Sequence, residues 1–256
     1  MHPGRRLAFV ALLAWAAPGG LAGQGLMTTP IGFRSGLTEG AVTTRPGTLT
    51  IDAGASARWT GGTTTYRLGE FNIRVPVTRR LEGRLYANSY SWRQSASGLE
   101  TGREDLSLAA AAMVLTHHGL RPVAAIIVRL DTPTGNLPGR ERSWRPSARW
   151  SLGWELPGRV ALHCNLGIAR ETRRGEDYVR ELASLWVSRR LAGRLGAYAE
   201  VFGSTRERPD GPATGYLHGA LTYLVLPWMH LDLHGGVGSA GAGSPRWIGI
   251  GVRQRG

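Results

Sequence analysis

The amino-acid sequence predicts an all-β protein, a closed antiparallel transmembrane β-barrel of about twelve strands. Three observations predict this fold class. Apolar and polar residues alternate along most of the chain, which is the period of a β-strand. The connections alternate between tight turns and longer polar loops, as they do in outer-membrane barrels. The N-terminus has the composition of a secretory signal peptide.

The N-terminal residues predict export. A basic start, Met1 to Arg6, precedes an apolar run from Leu7 to Ala17, and small residues follow as far as Ala22. The apolar run is shorter than the roughly 20 residues that a membrane-spanning helix needs. We therefore predict a signal peptide over residues 1–23. Residues 24–47 show no periodicity and predict an extended N-terminal segment, and residues 48–256 predict the barrel.

The strands follow from the alternation. In the first strand Ile51, Ala53 and Ala55 alternate with Asp52 and Ser56. The predicted strands run over about 49–59, 66–77, 81–88, 106–114, 123–130, 148–156, 160–168, up to 187, 191–201, 217–225, 231–233 and 248–252. Tight turns are expected near Arg80, His118, Gly158, Arg190 and Trp228, and polar loops over 94–102, 131–136, 171–177, 205–212 and 239–245.

Two alternatives accompany this prediction. The alanine-rich stretch Leu106 to Leu115 also fits a helix, because Ala and Leu are strong helix formers. A soluble sandwich or barrel would show the same alternation as a membrane barrel. Strands of about 9–11 residues, the asymmetry of the loops and the signal peptide favour the membrane barrel.

The polar faces of the strands predict the lining of the lumen. In hydrocarbon every backbone N–H and C=O must be paired, so a sheet spans a membrane only when it closes. An arginine on the lipid side at the midplane costs about 2–4 kcal/mol, so charged residues should point inward. The predicted lumen-lining residues are Asp52, Arg58, Glu82, Arg84, Tyr86, Arg149, Glu155, His163, Asn165, Arg194, Tyr198, Glu200, His218, His230, Asp232 and His234. A surplus of inward arginine would favour anions.

One sequence occurs twice. Val77-Thr-Arg-Arg-Leu-Glu-Gly-Arg-Leu85 returns as Val187-Ser-Arg-Arg-Leu-Ala-Gly-Arg-Leu195. Both copies are predicted to be periplasmic turns, with Arg79, Arg80, Arg189 and Arg190 at the inner boundary of the membrane, where guanidinium groups can meet phosphate headgroups.

The composition of the chain limits the classes of partner that we expect. All 31 basic residues are arginine and the net charge is +13, a balance that also occurs in nucleic-acid-binding proteins. The arginines are spread along the chain beside Asp and Glu, and no helix-turn-helix or zinc pattern is present, so we expect no nucleic-acid partner. The single cysteine, Cys164, excludes an internal disulfide. The expected partners are outer-membrane lipids, the barrel-assembly machinery and a small solute of unknown identity.

Three sequence patterns are candidates for a chemical function. His230-x-Asp232-x-His234 shares one strand face, but alternate residues start nearly 7 Å apart at a rise of about 3.3 Å, which is wide for ligands of one zinc ion. A phospholipase-like triad with His163 and Asn165 would need a serine that can be reached from lipid, whereas both residues are predicted to face the lumen. Cys164, between them, is expected to face lipid. Neither Gly61-Gly62 nor the glycine-rich stretch 235–243 opens a helix, as a nucleotide site requires. We predict no catalytic residue, no metal and no cofactor.

Several motifs resemble a known family. They are Gly102-Arg-Glu-Asp-Leu-Ser-Leu108, Asp131-Thr-Pro-Thr-Gly135, Asn165-Leu-Gly167, Gly196-Ala-Tyr-Ala-Glu-Val201, Gly219-Ala-Leu-Thr-Tyr-Leu224, Leu231-Asp-Leu233 and Trp247-Ile-Gly-Ile-Gly251. The chain resembles the outer-membrane transporter family named after the phenol meta-cleavage degradation pathway. The resemblance implies an outer-membrane barrel that passes small, often aromatic or hydrophobic compounds. The chain departs from the family pattern in two places. Ala111 stands where a long polar residue is expected, and the sequence ends on Gln254-Arg-Gly256 where such barrels end on an aromatic residue.

The function that this sequence predicts is a passive outer-membrane channel or transporter for small molecules, with the N- and C-termini of the chain in the periplasm. A structural, non-conducting barrel with a filled lumen is the alternative. A lipid-modifying outer-membrane enzyme ranks third.

Overall fold

A computed structural model of the protein describes Arg34 and residues 36–87, 89–239 and 243–256. The predicted signal peptide over residues 1–23 and the start of the predicted N-terminal segment lie outside the described residues. Within the described part of the chain, no helix is long and apolar enough to cross a membrane.

The described residues form one large antiparallel sheet. Its strand segments are β1 (Thr50–Thr60), β2 (Thr63–Leu68), β3 (Phe71–Pro76), β4 (Leu81–Ala87), β5 (Tyr90–Ser95), β6 (Gly98–Arg103), β7 (Leu106–Leu115), β8 (Val123–Asp131), β9 (Arg145–Leu156), β10 (Val160–Arg173), β11 (Glu176–Ala192), β12 (Leu195–Ser204), β13 (Thr214–Leu226), β14 (Met229–Gly238) and β15 (Arg246–Arg255). The alanine-rich stretch is strand β7, so the helix alternative is wrong.

These segments make twelve strands around a barrel. The segments β2 and β3, β4 and β5, and β6 and β7 are each one strand with a short interruption, and both parts pair with the same neighbouring strand. The stretch expected as one strand over 66–77 is thus divided at Gly69, whose φ of 77° leaves the β region. The predicted count of about twelve is confirmed.

The barrel closes by pairing its first strand with its last. Strand β1 runs antiparallel to β15 in register from Thr50 opposite Arg255 to Trp59 opposite Arg246. Leu49 and Gly256 continue this pairing with two further backbone hydrogen bonds, of 2.9 and 2.8 Å. Closure gives both edge strands a partner, which is what the hydrocarbon environment demands of a sheet.

The distribution of side chains is the reverse of that in a soluble protein. Leucine, isoleucine and valine on the outer face are about half exposed, as Leu221 (52%), Leu233 (51%) and Ile250 (61%) illustrate. Buried residues are mostly polar, among them Asp52, Glu82 and many other charged side chains. A continuous apolar outer surface of this extent marks contact with lipid, and the transmembrane barrel is confirmed.

The barrel has two different ends. The terminal end carries the start of β1, the end of β15 and the connections 77–80, 116–122, 157–159, 193–194 and 227–228. The loop end carries the connections 61–62, 96–97, 132–144, 174–175, 205–213 and 239–245. The longest connections therefore lie at the loop end, as the sequence predicts.

Two loops predicted at the loop end are hairpins instead. Residues 94–102 belong to β5 and β6, which pair from Tyr90 opposite Arg103 to Ser95 opposite Gly98. Residues 171–177 belong to the tip of the β10–β11 hairpin, which turns at Arg174 and Gly175. Strands β10 and β11 have 14 and 17 residues, more than the roughly 9–11 needed to span the membrane. Beyond the membrane both faces meet water, so the alternation that marks a strand disappears.

The two copies of the repeat do not fold alike. In the first copy residues 77–80 are the turn, where the Thr78 hydroxyl accepts hydrogen bonds from the backbone N–H groups of Arg80 (3.1 Å) and Leu81 (3.0 Å). In the second copy residues 187–190 still belong to β11, and the chain turns only at Gly193, with φ of 50°. Both copies therefore contain a turn at the terminal end, but the turn of the second copy lies at residues 193–194 and not near Arg190 as predicted.

Replacing Leu221 tests whether the outer face of β13 meets hydrocarbon. We expect Leu221→Arg to lower the free energy of unfolding by about 2–4 kcal/mol relative to Leu221→Ala, because the guanidinium group would lie near the midplane of the bilayer. Reversible urea unfolding in lipid vesicles, followed by tryptophan fluorescence, measures the difference. Equal stability of the two variants would place position 221 in water.

Candidate functional site: the barrel interior

The barrel interior contains a length of the chain's own N-terminal part. We call Arg34 and residues 36–47 the inner segment. It was expected to be an extended lead-in, and its described residues contact the inner faces of strands all round the barrel. The contacts are almost entirely polar, as the inward side chains of the strands are.

Arg34 anchors one end of the inner segment. Its guanidinium group donates to the Ala53 carbonyl at 2.8 Å and forms a buried ion pair with Asp232. The arginine lies against strands β1 and β15 where both carry glycine. A β-carbon on Gly251 would fall 1.0 Å from the Arg34 Nη1 atom, and one on Gly54 would fall 2.8 Å from its Cδ. These glycines leave the space that the arginine occupies.

Glu200 on β12 holds the next part of the inner segment. Its Oε1 atom accepts hydrogen bonds from the backbone N–H groups of Leu37 (2.9 Å) and Thr38 (2.7 Å). Its Oε2 atom lies 2.9 Å from His218 Nδ1. The Thr38 hydroxyl donates to Ser184 on β11 at 2.7 Å. One wall carboxylate thus holds both the segment and a neighbouring histidine.

Glu39 is the most extensively bonded residue of the inner segment. Its carboxylate accepts hydrogen bonds from Arg84 (2.5 Å), the Tyr86 hydroxyl (2.7 Å) and Arg149 (3.2 Å). Its backbone N–H donates to Asn165 Oδ1 at 2.7 Å, and Asn165 Nδ2 donates back to its carbonyl at 3.0 Å. Ser151 also donates to that carbonyl, at 2.6 Å. Side chains of β4, β9 and β10 therefore converge on this residue.

The last part of the inner segment descends towards the terminal end. Thr44 N–H donates to Glu82 Oε2 at 2.6 Å, and the Thr43 hydroxyl donates to the Arg79 carbonyl at 2.8 Å. Glu82 Oε1 also accepts hydrogen bonds from Arg74 (2.9 Å) and Arg84 (2.8 Å). Glu82 is fully buried, so its charge is balanced within the protein rather than by solvent.

Most predicted lumen residues belong to this interior. Those that are buried are Asp52, Glu82, Arg84, Tyr86, His163, Asn165, Tyr198, Glu200, His218, His230, Asp232 and His234. Arg58 and Arg149 are partly buried. Glu155 and Arg194 do not join them, because both are exposed at the terminal end, where β9 is ending and where the chain turns after β11. The late turn in the second repeat copy explains the position of Arg194.

The interior charges are balanced, contrary to an arginine surplus. Among the described residues, the buried arginines Arg34, Arg74, Arg84 and Arg253 are matched by at least as many buried carboxylates, including Asp52, which pairs with Arg253. Asp232 lies between Arg34 and His234, with His234 Nδ1 at 2.9 Å. Within the described part of the chain, no three His, Cys, Asp or Glu side chains form a group that could hold a metal ion.

Four further residues line the interior although they are not among the predicted lumen residues: Arg34, Glu39, Ser151 and Ser184. Ser151 and Ser184 lie on the inward side of their strands, and strand alternation is the signal that could have found them. Arg34 and Glu39 lie in a stretch without periodicity, so no local sequence pattern predicts their position inside the barrel.

A run of aromatic rings covers one side of the interior, and we call it the aromatic column. Neighbouring ring centroids are 4.8–6.1 Å apart along His163, Trp186, Tyr198, His218, Trp247, Tyr216 and Phe202. The Arg58 guanidinium carbon lies 5.5 Å from the Trp247 ring centroid, within cation–π distance. The column leads from His163, near the terminal-end start of β10, towards the loop end.

Ion pairs fix connection 132–144 across the loop end. Asp105 Oδ2 accepts hydrogen bonds from Arg140 (2.7 Å) and Arg145 (2.9 Å), and its Oδ1 accepts one from the backbone N–H of Gly135 (2.8 Å). Burial alone would raise the pKa of Glu104, but the nearby guanidinium groups of Arg67 and Arg140 hold it below its ordinary value. This carboxylate therefore stays charged under mildly acidic conditions.

Replacing Glu82 tests the buried charge balance. We expect Glu82→Gln to lower the free energy of unfolding by about 3–5 kcal/mol, because it removes the carboxylate that pairs with Arg74 and one of the two carboxylates that pair with Arg84. Glu155→Gln is the matched control and should change stability by less than about 0.5 kcal/mol, since Glu155 is exposed. Urea unfolding in vesicles measures both. Similar values for the two variants would contradict a structural role of Glu82.

Comparisons with known proteins agree with this architecture. A search of curated proteins found no match. An outer membrane channel from Pseudomonas putida F1 is similar in structure, with a TM-score of 0.65 and 14% identity over 84% of this chain and 98% of that chain. The NanC porin is similar with a TM-score of 0.57 and 8% identity over 80% and 98% of the two chains. The family model described as "Putative MetA-pathway of phenol degradation" matches residues 32–256. The chain therefore belongs to this family of outer-membrane β-barrels.

Proposed function

We propose that the protein is a passive outer-membrane channel for small molecules. The observation that carries this proposal is the polar interior of a closed barrel, where charged and hydrogen-bonding side chains line the wall from β1 to β15. The structurally similar proteins, an outer membrane channel and a porin, support it. Short turns face the periplasm in bacterial barrels, so we assign the terminal end, with both termini, to the periplasm.

The inner segment makes the channel narrow in its resting form. Its backbone is held to Glu200, Asn165 and Glu82, and its Glu39 side chain is held to Arg84 and Arg149. These contacts span the interior from β12 to β4, so a solute must pass beside the segment or displace it. The same contacts support the second candidate function, a structural barrel that does not conduct.

Small aromatic compounds are the solute class that we propose. The family description refers to phenol degradation. The aromatic column gives the interior wall a continuous aromatic side, and a solute ring that packs against it would gain about 0.5–1.5 kcal/mol per aromatic pair beyond the buried area. The column begins near the loop end at Phe202, where a solute from outside would enter under the proposed orientation.

Catalysis has less support than transport. Asn165, which a phospholipase-like triad would require, makes two hydrogen bonds with the backbone of Glu39. His163 packs edge-on against Trp186, with ring centroids 5.2 Å apart. Both residues thus take part in packing and in holding the inner segment. We also propose that the barrel-assembly machinery recognises the protein. Replacing the non-aromatic C-terminal residues would test this recognition.

Conductance in planar lipid bilayers separates the channel from the structural barrel. We expect wild-type protein to conduct and Glu39→Ala to conduct more, because the variant removes charge-assisted hydrogen bonds worth about 1.5–3 kcal/mol each from the inner segment. At 1.4 kcal/mol per factor of ten, such losses shift the segment's equilibrium strongly towards displacement.

Glu155→Ala serves as the control for this experiment and should match wild type, because Glu155 lies outside the interior. A silent wild type together with a silent Glu39→Ala variant would favour the structural barrel. Uptake of phenol by cells that carry either variant then tests the solute class.

A further inference from the structure

Exposed arginines at the terminal end form a group that the channel does not use. They are Arg79, Arg80, Arg121, Arg159, Arg189 and Arg194, and we call them the arginine arc. They follow one another around the barrel, in the connections between β3 and β4, β7 and β8, β9 and β10, and at the β11–β12 turn. The arc therefore extends along most of the rim at this end, from β3 to β12.

The arc has no carboxylates to balance it. Among the residues that the structure describes, none of its six guanidinium groups has an acidic partner within ion-pair distance. Arg121 and Arg194 donate only to the backbone carbonyls of Thr116 (3.2 Å) and Val225 (3.1 Å). Glu155 is the one exposed acidic side chain in the described part of this end.

Arginines at the opposite end behave differently. Arg140 and Arg145 pair with Asp105, Arg170 pairs with Asp177, and Arg180 pairs with Glu171. The two ends of the barrel therefore differ in charge, since acidic side chains accompany the arginines at the loop end and are nearly absent from the arc. Because acidic side chains are nearly absent from the terminal end, the arc leaves net positive charge there, and this charge favours an external anionic partner.

The location of the arc identifies where that partner lies. On β11 the outward residues Leu185 and Val187, 48% and 41% exposed, lead directly to Arg189 on the same face. Arg80 precedes the outward Leu81, and Arg194 precedes the outward Leu195. The arc thus begins where the lipid-facing apolar surface ends, which is the level of lipid headgroups.

We propose that the arginine arc binds the phosphate groups of anionic glycerophospholipids in the membrane leaflet at the terminal end. A guanidinium group offers paired N–H donors that match a phosphate bidentately, and an anionic membrane surface attracts each arginine near it. Under the orientation proposed above, this is the periplasmic leaflet. The lipid site itself does not depend on whether the barrel conducts.

Native mass spectrometry of the full-length protein in detergent tests the proposal. Wild type is titrated with phosphatidylglycerol and, separately, with phosphatidylcholine of the same chain length. We expect a preference of about tenfold or more for phosphatidylglycerol, from several arginines that each gain contact with negative charge. The preference should fall as salt is raised, because exposed charges are screened.

The variant Arg80→Gln, Arg159→Gln, Arg189→Gln, Arg194→Gln should bind the two lipids equally. A control with the same charge loss at the loop end, Arg142→Gln, Arg174→Gln, Arg206→Gln, Arg208→Gln, should keep the wild-type preference. Heat-modifiable migration on gels establishes that both variants are folded barrels. An absent preference in wild type, or equal loss in both variants, would overturn the proposal.

Two further measurements complete the test. Lipopolysaccharide added in competition should displace phosphatidylglycerol no better than an equal amount of phosphatidylglycerol does, and stronger displacement would overturn the choice of lipid. Planar-bilayer conductance of the arc variant should equal that of wild type, because the arc lies outside the interior. Loss of lipid preference with unchanged conductance supports the lipid site separately from the channel.

Discussion

The pairing of β1 with β15 is the constraint on which the rest of the structure depends. A sheet in hydrocarbon has no water to satisfy its edges, so its first and last strands must meet. Once they meet, the alternation of each strand divides its side chains between lipid and interior. Outward positions become apolar, as Leu221 and Ile250 are, and inward positions become polar, as Asp52 and Glu82 are.

A polar interior creates a second requirement, because buried charges need partners. Some of these buried charges are paired within the barrel wall, as Asp52 is with Arg253 and Glu82 is with Arg74. Other buried polar groups of the wall find their partners in the inner segment. Arg149 has its ion pair with Glu39, and Glu200 accepts two backbone N–H groups of the segment. Contacts that narrow the lumen thus also stabilise the barrel, and a solute that displaces the segment must replace them.

The two ends of the barrel differ in the length of their connections and in the pairing of their arginines. At the loop end, strands β10 and β11 continue past the membrane and carry ion pairs, and Asp105 ties connection 132–144 to the wall. At the terminal end the connections are mostly short, and the six exposed arginines of the arc have no acidic partners in the described part of the chain. The two ends therefore differ in how their arginines are paired, and this difference is the basis of the lipid site proposed at the terminal end.

The sequence by itself determined the barrel, its strand number and the inward position of residues such as Glu82, Arg84 and Asn165, because alternation is a local property that the membrane enforces. It did not determine the hairpin over 94–102, where both faces meet water and alternation vanishes. Only the tertiary structure decided that Glu39 meets Asn165, 126 residues away, because that contact exists only after the barrel has closed around an aperiodic segment.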